Sequence, residues 1–234
     1  MNLRDILTAW RGGLIVSCQA PADSPLARAD IIAALASAAE LNGAVGLRID
    51  GAAAIQATRA ATRLPILGIE KLYPPDSDVY ITPDFASASR VAGSDADVIA
   101  LDGTERKRPG CLNFPQLAAR IRQELKLPLM ADVATFGQGI FAAETAGADF
   151  IGTTLAGYTP ETAGQTAVDF KLVEALAKRL QTPVICEGRL RSPADVRRAF
   201  ECGAFAVVVG NAITGVDWLV REFAAATPSG AKEG

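Results

Sequence analysis

The sequence has no histidine among its 234 residues. That excludes a His-based catalytic triad, histidine metal ligands and an imidazole general base. Acid–base chemistry must therefore use Lys, Asp, Glu, Cys or Tyr. Cys18, Cys111, Cys186 and Cys202 form no Cys-x-x-Cys pair, so zinc and dithiol spacings are absent and no metal site is expected. There is no basic excess: the net charge is −3, which gives no field to hold nucleic acid or an anionic membrane. No run approaches the roughly 18 uninterrupted apolar residues of a membrane span. The first residues carry Arg4, Asp5 and Arg11 and do not read as a signal peptide. A reducing cytoplasm is the expected compartment.

What is present is ordinary globular composition, 50% apolar and 21% charged. A chain of 24.4 kDa buries roughly 70% of its surface on folding and needs no disulfide or metal to hold it. Eight short Val/Ile/Leu-rich runs recur: Gly13–Gln19, Ala44–Asp50, Pro65–Lys71, Asp97–Gly103, Pro128–Ala134, Phe150–Ala156, Pro183–Arg189 and Ala206–Gly210. They are near-continuously apolar, as strands buried on both faces should be. Helical patterns fill the gaps, with Leu117, Ile121 and Leu125 on one face and Val173, Leu176 and Leu180 on another. Ser192-Pro193-Ala194-Asp195 reads as a capping box, and Thr135 with Gln138 as a second. The third, fifth and seventh strands are entered through Pro65, Pro128 and Pro183. The second, sixth and eighth are entered through Gly-Ala pairs. This weak β-α-β-α repeat predicts a single (β/α)8 TIM barrel over residues 1–234, with a frayed tail after about Thr227.

Barrels of this class place their chemistry at the carboxyl ends of the strands. Those ends carry Gln19, Arg48 and Asp50, Lys71, Asp102, Asp132, Thr153 and Thr154, Glu187 and Asn211. So many polar residues converging on one mouth exceed what packing requires. Glu187-Gly188-Arg189 after strand seven and Gly210-Asn211 after strand eight predict a phosphate site at Gly188, Arg189, Gly210 and Asn211, where glycines let backbone N–H groups approach an anion. Side chains alternate along a strand, so if Gln19 and Glu187 point inward, Cys18 and Cys186 point toward the helices and pack there. Trp10 and Trp218 fall in terminal helical segments and are expected to pack.

The chain resembles the N-acetylmannosamine-6-phosphate 2-epimerases from Gly12 to about Trp218. The resemblance is carried in order by Gly13-Leu14-Ile15-Val16-Ser17-Cys18-Gln19, Leu47-Arg48-Ile49, Gly68-Ile69-Glu70-Lys71 with Asp76 to Pro83, Asp102-Gly103-Thr104 with Arg108-Pro109, Met130-Ala131-Asp132, Ile151 to Thr159, Glu187-Gly188-Arg189 and Gly210-Asn211-Ala212-Ile213-Thr214. It implies a cofactor-independent barrel enzyme that interconverts N-acetylmannosamine 6-phosphate and N-acetylglucosamine 6-phosphate in amino-sugar catabolism. It further implies that Lys71 and Glu187 are the acid–base residues and that Gln19, Arg48 and Asp132 position the sugar. Thr153 and Tyr158, in the motif after strand six, are expected to add substrate contacts. The family's arginine after the last Ala-Ile-Thr is Gly215 here.

Epimerisation at C2 needs a base, an acid reachable from the other face, and donors near the developing oxyanion. Lys71 and Glu187, on strands three and seven, would face each other across the mouth. A one-base route relayed by a substrate hydroxyl fits the residues equally. A strand-end lysine also fits a Schiff-base phosphosugar lyase, and Gly215 admits a non-catalytic phosphosugar-binding protein. The expected partner is a small amino-sugar phosphate. A homodimer is a candidate assembly, with no face assignable from the sequence.

Overall fold

A computed structural model describes residues 1–228; the tail expected to fray after Thr227 falls outside them from residue 229 onward. Eight parallel strands close in chain order: β1 (Leu14–Cys18), β2 (Gly46–Asp50), β3 (Ile66–Ile69), β4 (Val98–Asp102), β5 (Leu129–Asp132), β6 (Phe150–Gly152), β7 (Val184–Glu187) and β8 (Ala206–Val209). The last pairs with the first, Leu14 opposite Val207. The expected barrel is borne out.

The helices are α1 (Leu3–Trp10), α2 (Ala29–Leu41), α3 (Ala52–Ala61), α4 (Phe85–Ala92), α5 (Phe114–Glu124), α6 (Phe136–Ile140), α7 (Phe170–Arg179), α8 (Pro193–Glu201), α9 (Asn211–Thr214) and α10 (Val216–Ala225). Both expected capping boxes form, at Thr135–Gln138 and Ser192–Asp195. Each satisfies main-chain donors that a helix start leaves unpaired. Leu125 and Leu180 stand at the C-caps of α5 and α7, one residue past the helices their periodicity suggested.

The sequence repeat has a hydrogen-bonding counterpart. The carbonyls of Pro65, Pro128 and Pro183 each accept from the preceding strand in the same way, from Leu47, Ile99 and Ile151 N–H, all at 3.0 Å. Asp97 and Asp149, at the opposite end from the mouth, accept the first N–H of the neighbouring strand, from Ile66 and Leu129, each at 2.9 Å. Proline has no N–H to offer the ladder, so it fits where a strand begins and only its carbonyl is needed.

Alternation splits the core in two. Ile15, Leu67, Ile69, Met130, Phe150 and Ile185 fill the barrel, closed below by Ile6 and Trp10 of α1. Ile49, Ile99, Ile151 and Val207 face the helices. Cys18 and Cys186 belong to this outer layer and are fully buried. Burial pushes both thiols up to about 12, so they stay protonated and behave as small apolar groups. Trp10 packs on Phe150 with ring centroids 5.1 Å apart, and Trp218 lies under the Arg191 guanidinium.

Candidate active site

The inward face that fills the barrel with apolar side chains turns polar at its last step. Two residues beyond Ser17, Ile69, Met130 and Ile185 stand Gln19, Lys71, Asp132 and Glu187, and Arg48 is the inward residue of β2. Arg48 is the hub. Its Nη2 donates to Asp132 Oδ2 at 2.7 Å, and its Nη1 donates to Glu187 Oε2 at 2.6 Å and to Asp132 Oδ1 at 3.2 Å. Thr154 completes the shell of Asp132 with a 2.6 Å bond to Oδ1. Burial opposes the Arg48 charge, but Asp132 and Glu187 outweigh it and hold the guanidinium above its ordinary range.

Lys71 lies just past β3. Its Nζ donates to Gln19 Oε1 at 2.5 Å and stands 3.9 Å from Asp50 Oδ2. Burial and the nearby Arg48 lower its pKa, against the pull of Asp50, Glu187 and Asp132. Glu187 is shifted the other way: burial pushes its carboxyl up to about 7, although Arg48 favours the anion. An amine pulled toward neutrality and a carboxyl that holds its proton near neutral pH stand on β3 and β7, four strands apart in a ring of eight. Such a pair can remove a proton on one side of a bound molecule and return one on the other.

Gln19 with Lys71 and Arg48 with Asp132 and Glu187 thus form two bonded groups at one mouth, and the charges of the second act on the amine of the first. Thr153 sits elsewhere. Its hydroxyl donates to the Glu187 carbonyl at 3.0 Å and accepts from the Glu187 N–H at 3.1 Å, which braces the main chain of β7. Its neighbour Thr154 is the one that meets the network. Tyr158 is 54% exposed and lies 4.2 Å beneath the Arg189 guanidinium. That guanidinium also donates to the carbonyls of Ala156 and Gly157, tying the loop after β7 to the loop after β6.

Gly188 has φ +104, a conformation open to glycine and strained for any residue with a Cβ. Among the described residues no intramolecular acceptor is found for the main-chain N–H groups of Gly188, Arg189, Asn211 and Ala212. These donors lie at the ends of adjacent strands, with Gly210 between β8 and α9.

Three further residues reach the mouth without a role read from the sequence. Asp50 and Thr154 follow from alternation alone. Tyr80 does not. It is carried inward by a hairpin in which Leu72 N–H donates to the Tyr80 carbonyl at 2.9 Å and Lys71 bridges Ile81. Burial, with Asp132 nearby, raises the Tyr80 hydroxyl to about 12, so it stays a donor. Tyr73 stacks on it at 5.6 Å. With Arg106, Tyr158 and Pro160 these rings line a cleft of about 590 Å³ at the rim.

The family's arginine has no room at Gly215. A Cβ there would lie 2.7 Å from Asn211 Cα and 2.8 Å from the Asn211 carbonyl oxygen. The turn between α9 and α10 is built around the missing side chain.

The profile of the family described as "Putative N-acetylmannosamine-6-phosphate epimerase" matches residues 32–229. The chain belongs to that family. A relative from Synechococcus elongatus, described as "Putative N-acetylmannosamine-6-phosphate 2-epimerase", is 49% identical over 97% of this chain and 98% of its own. One of the same description from Thermosynechococcus vestitus is 50% identical over 95% and 96%. The solved structure of the N-acetylmannosamine-6-phosphate 2-epimerase from Clostridium perfringens superposes with a TM-score of 0.91 at 39% identity, covering 97% of this chain and 98% of that one.

Proposed function

We infer that this family member catalyses the 2-epimerisation of N-acetylmannosamine 6-phosphate to N-acetylglucosamine 6-phosphate. The observation that carries the reading is the Lys71–Gln19 and Glu187–Arg48–Asp132 arrangement at one barrel mouth, in a chain 49% identical along almost its whole length to a relative so described.

The neutral Lys71 amine takes the proton from C2 of the open-chain sugar. The C–H electron pair moves into the C1–C2 bond and the carbonyl electrons go to the C1 oxygen, forming an enolate that carries the acetamido nitrogen on C2. Glu187, holding its proton near neutral pH, delivers it to C2 from the opposite side. Gln19 holds the amine; Arg48 fixes the carboxyl groups of Asp132 and Glu187. Asp132, braced by Thr154, completes the charged floor under the sugar. Thr153 supports Glu187 through its main chain, and Tyr158 borders the sugar's approach. The phosphate sits on the N–H groups of Gly188, Arg189 and Asn211, close beside Gly210, which orients the reacting end. The reaction as written calls for no cofactor.

The test is NMR of each sugar phosphate with the protein in D₂O. Solvent deuterium should enter C2 in both epimers, and Lys71→Ala should slow this by about 10²–10⁴-fold, the usual worth of a positioned proton-transfer group. Binding without C2 exchange would sink the reading in favour of a binding protein. A borohydride-trapped adduct on Lys71 would favour a Schiff-base lyase.

The protein is also proposed to pair with a second copy through α10. No residue of this helix is buried. Val216, Val220 and Phe223, at i, i+4 and i+7, are 47%, 60% and 75% exposed, an apolar stripe that a partner would cover. Val220→Glu with Phe223→Glu should then halve the mass seen by light scattering. Four free cysteines support a cytoplasmic setting for it. Among the described residues no helix is long and apolar enough to cross a membrane.

A further inference from the structure

Asp50 is a charged group that alternation along β2 turns toward the mouth and to which the family resemblance assigns no task. It is the last residue of β2 and pairs in register with Ile69, the last residue of β3. Lys71 lies two residues further on, where the ladder between β2 and β3 has ended. Its N–H has no strand acceptor there. Asp50 Oδ1 takes that N–H at 3.0 Å, while Oδ2 stands 3.9 Å from the ammonium. One carboxylate therefore bonds the main chain of the lysine and stands at ion-pair distance from its ammonium. Gln19 Oε1 holds the ammonium from the β1 side at 2.5 Å.

We propose that Asp50 is a positioning residue for the Lys71 amine: one oxygen fixes the main chain of residue 71, and the other fixes where the amine stands and how readily it gives up its proton. The proposal rests on Lys71 being the base of the epimerisation. The groups that face the amine come from four strands: Gln19 on β1, Arg48 and Asp50 on β2, Asp132 on β5 and Glu187 on β7. Arg48 is spent on two carboxylates, and Glu187 and Asp132 are spent on Arg48. Glu70, the chain neighbour, points away to Arg90 at 2.7 Å. That leaves Asp50 as the carboxylate nearest the amine with no other cationic partner. Of the groups that favour the protonated amine it has the largest effect. Burial raises the carboxyl of Asp50 itself, and Lys71 pulls it back.

Two variants separate the roles. Asp50→Asn keeps an oxygen for the Lys71 N–H and removes the charge; Asp50→Ala removes both. The amine is titrated without turnover, by trace acetic anhydride labelling at a series of pH values with mass spectrometry of the Lys71 peptide. Removing the anion should lower the apparent pKa by about one unit in both variants. The acid limb of the C2-exchange profile should move to lower pH by the same amount. Asp50→Asn should keep KM within threefold, and Asp50→Ala should lose a further tenfold or more in kcat. An unchanged labelling profile in Asp50→Asn overturns the proposal, as does equal kcat in the two variants. A shifted labelling profile in a protein that exchanges no C2 proton supports the Asp50–Lys71 coupling and refutes the epimerase reading instead.

Discussion

Arg48 offers the sharpest test of the charge network, because its side chain is 1% exposed and its partners Asp132 and Glu187 are 0% and 12% exposed. Arg48→Met keeps much of the side-chain length and removes the charge. Stripping one partner from a buried ion pair costs about 3–5 kcal/mol, since the remaining charge is left without compensation. Here two carboxylates lose their cation and Asp132 retains only the Thr154 hydroxyl. Glu187 can escape by staying protonated. Its pKa of about 7 already exceeds the ordinary 4.5, so the folded chain holds this proton more tightly than the unfolded one. The stability this provides is complete below about 4.5 and is lost as pH rises through about 7. Removing Arg48 takes away the main influence favouring the anion and pushes that window higher. The expected loss is therefore about 4 kcal/mol at pH 8.5, or roughly 10 °C in Tm for a chain of this size. It shrinks toward pH 5.5, with a slope of at most about 1.4 kcal/mol per pH unit for one proton. Urea unfolding followed by the fluorescence of the buried Trp10 measures it. A loss below about 1 kcal/mol at pH 8.5, or one that ignores pH, would show that Arg48 does not compensate these two carboxyl groups. Adding Asp132→Asn should recover part of the loss.

Gly215→Arg, which the family pattern invites, should lower Tm and leave C2 exchange no faster, because its Cβ meets the Asn211 main chain; a stable variant with a lower KM would contradict this. Gly188→Ala forces a Cβ into φ +104. It should cost about 1–2 kcal/mol and raise KM for the phosphosugar more than it lowers kcat, as read from steady-state kinetics. Iodoacetamide on the folded protein should label Cys111, which is exposed, and spare Cys18 and Cys186, whose thiols are buried and held at about 12; peptide mass spectrometry decides.

The fold was legible because six of the eight strands announce their own start. A proline or a Gly-Ala pair marks where a strand enters, and the carbonyls of Pro65, Pro128 and Pro183 do the same work three times. Strand ends were less legible. The apolar run Phe150–Ala156 reads as one strand, yet β6 stops at Gly152. Gln19, Lys71 and Thr154 all lie just past the ends of their strands, where the inward–outward alternation persists. The helix after β5 was capped as expected at Thr135 but loosens into a π turn over Phe141–Thr145, which no local signal marks.

Alternation explains both what the sequence says about the site and where a reading of it stops. Counting by two from Phe150 through Gly152 puts Thr154, not Thr153, toward the mouth, and the 2.6 Å bond to Asp132 follows. The same count cannot separate Asp102 from Asp132. The two are register partners on β4 and β5, both inward and both fully buried. Asp132 shares a guanidinium with Glu187. Asp102 is instead taken by its own loop: Thr104 at 2.6 Å, Arg106 at 2.5 Å and Arg108 at 3.5 Å fold back onto its carboxylate. The difference is set by two arginines, four and six residues downstream. Burial lowers the Arg108 pKa to about 10 while Asp102 opposes the fall. A carboxylate so held organises the β4–α5 loop and has nothing left to offer a substrate. Two aspartates with identical strand positions thus differ in their partners because one loop carries its own cations and the other leaves its aspartate to an arginine from across the barrel.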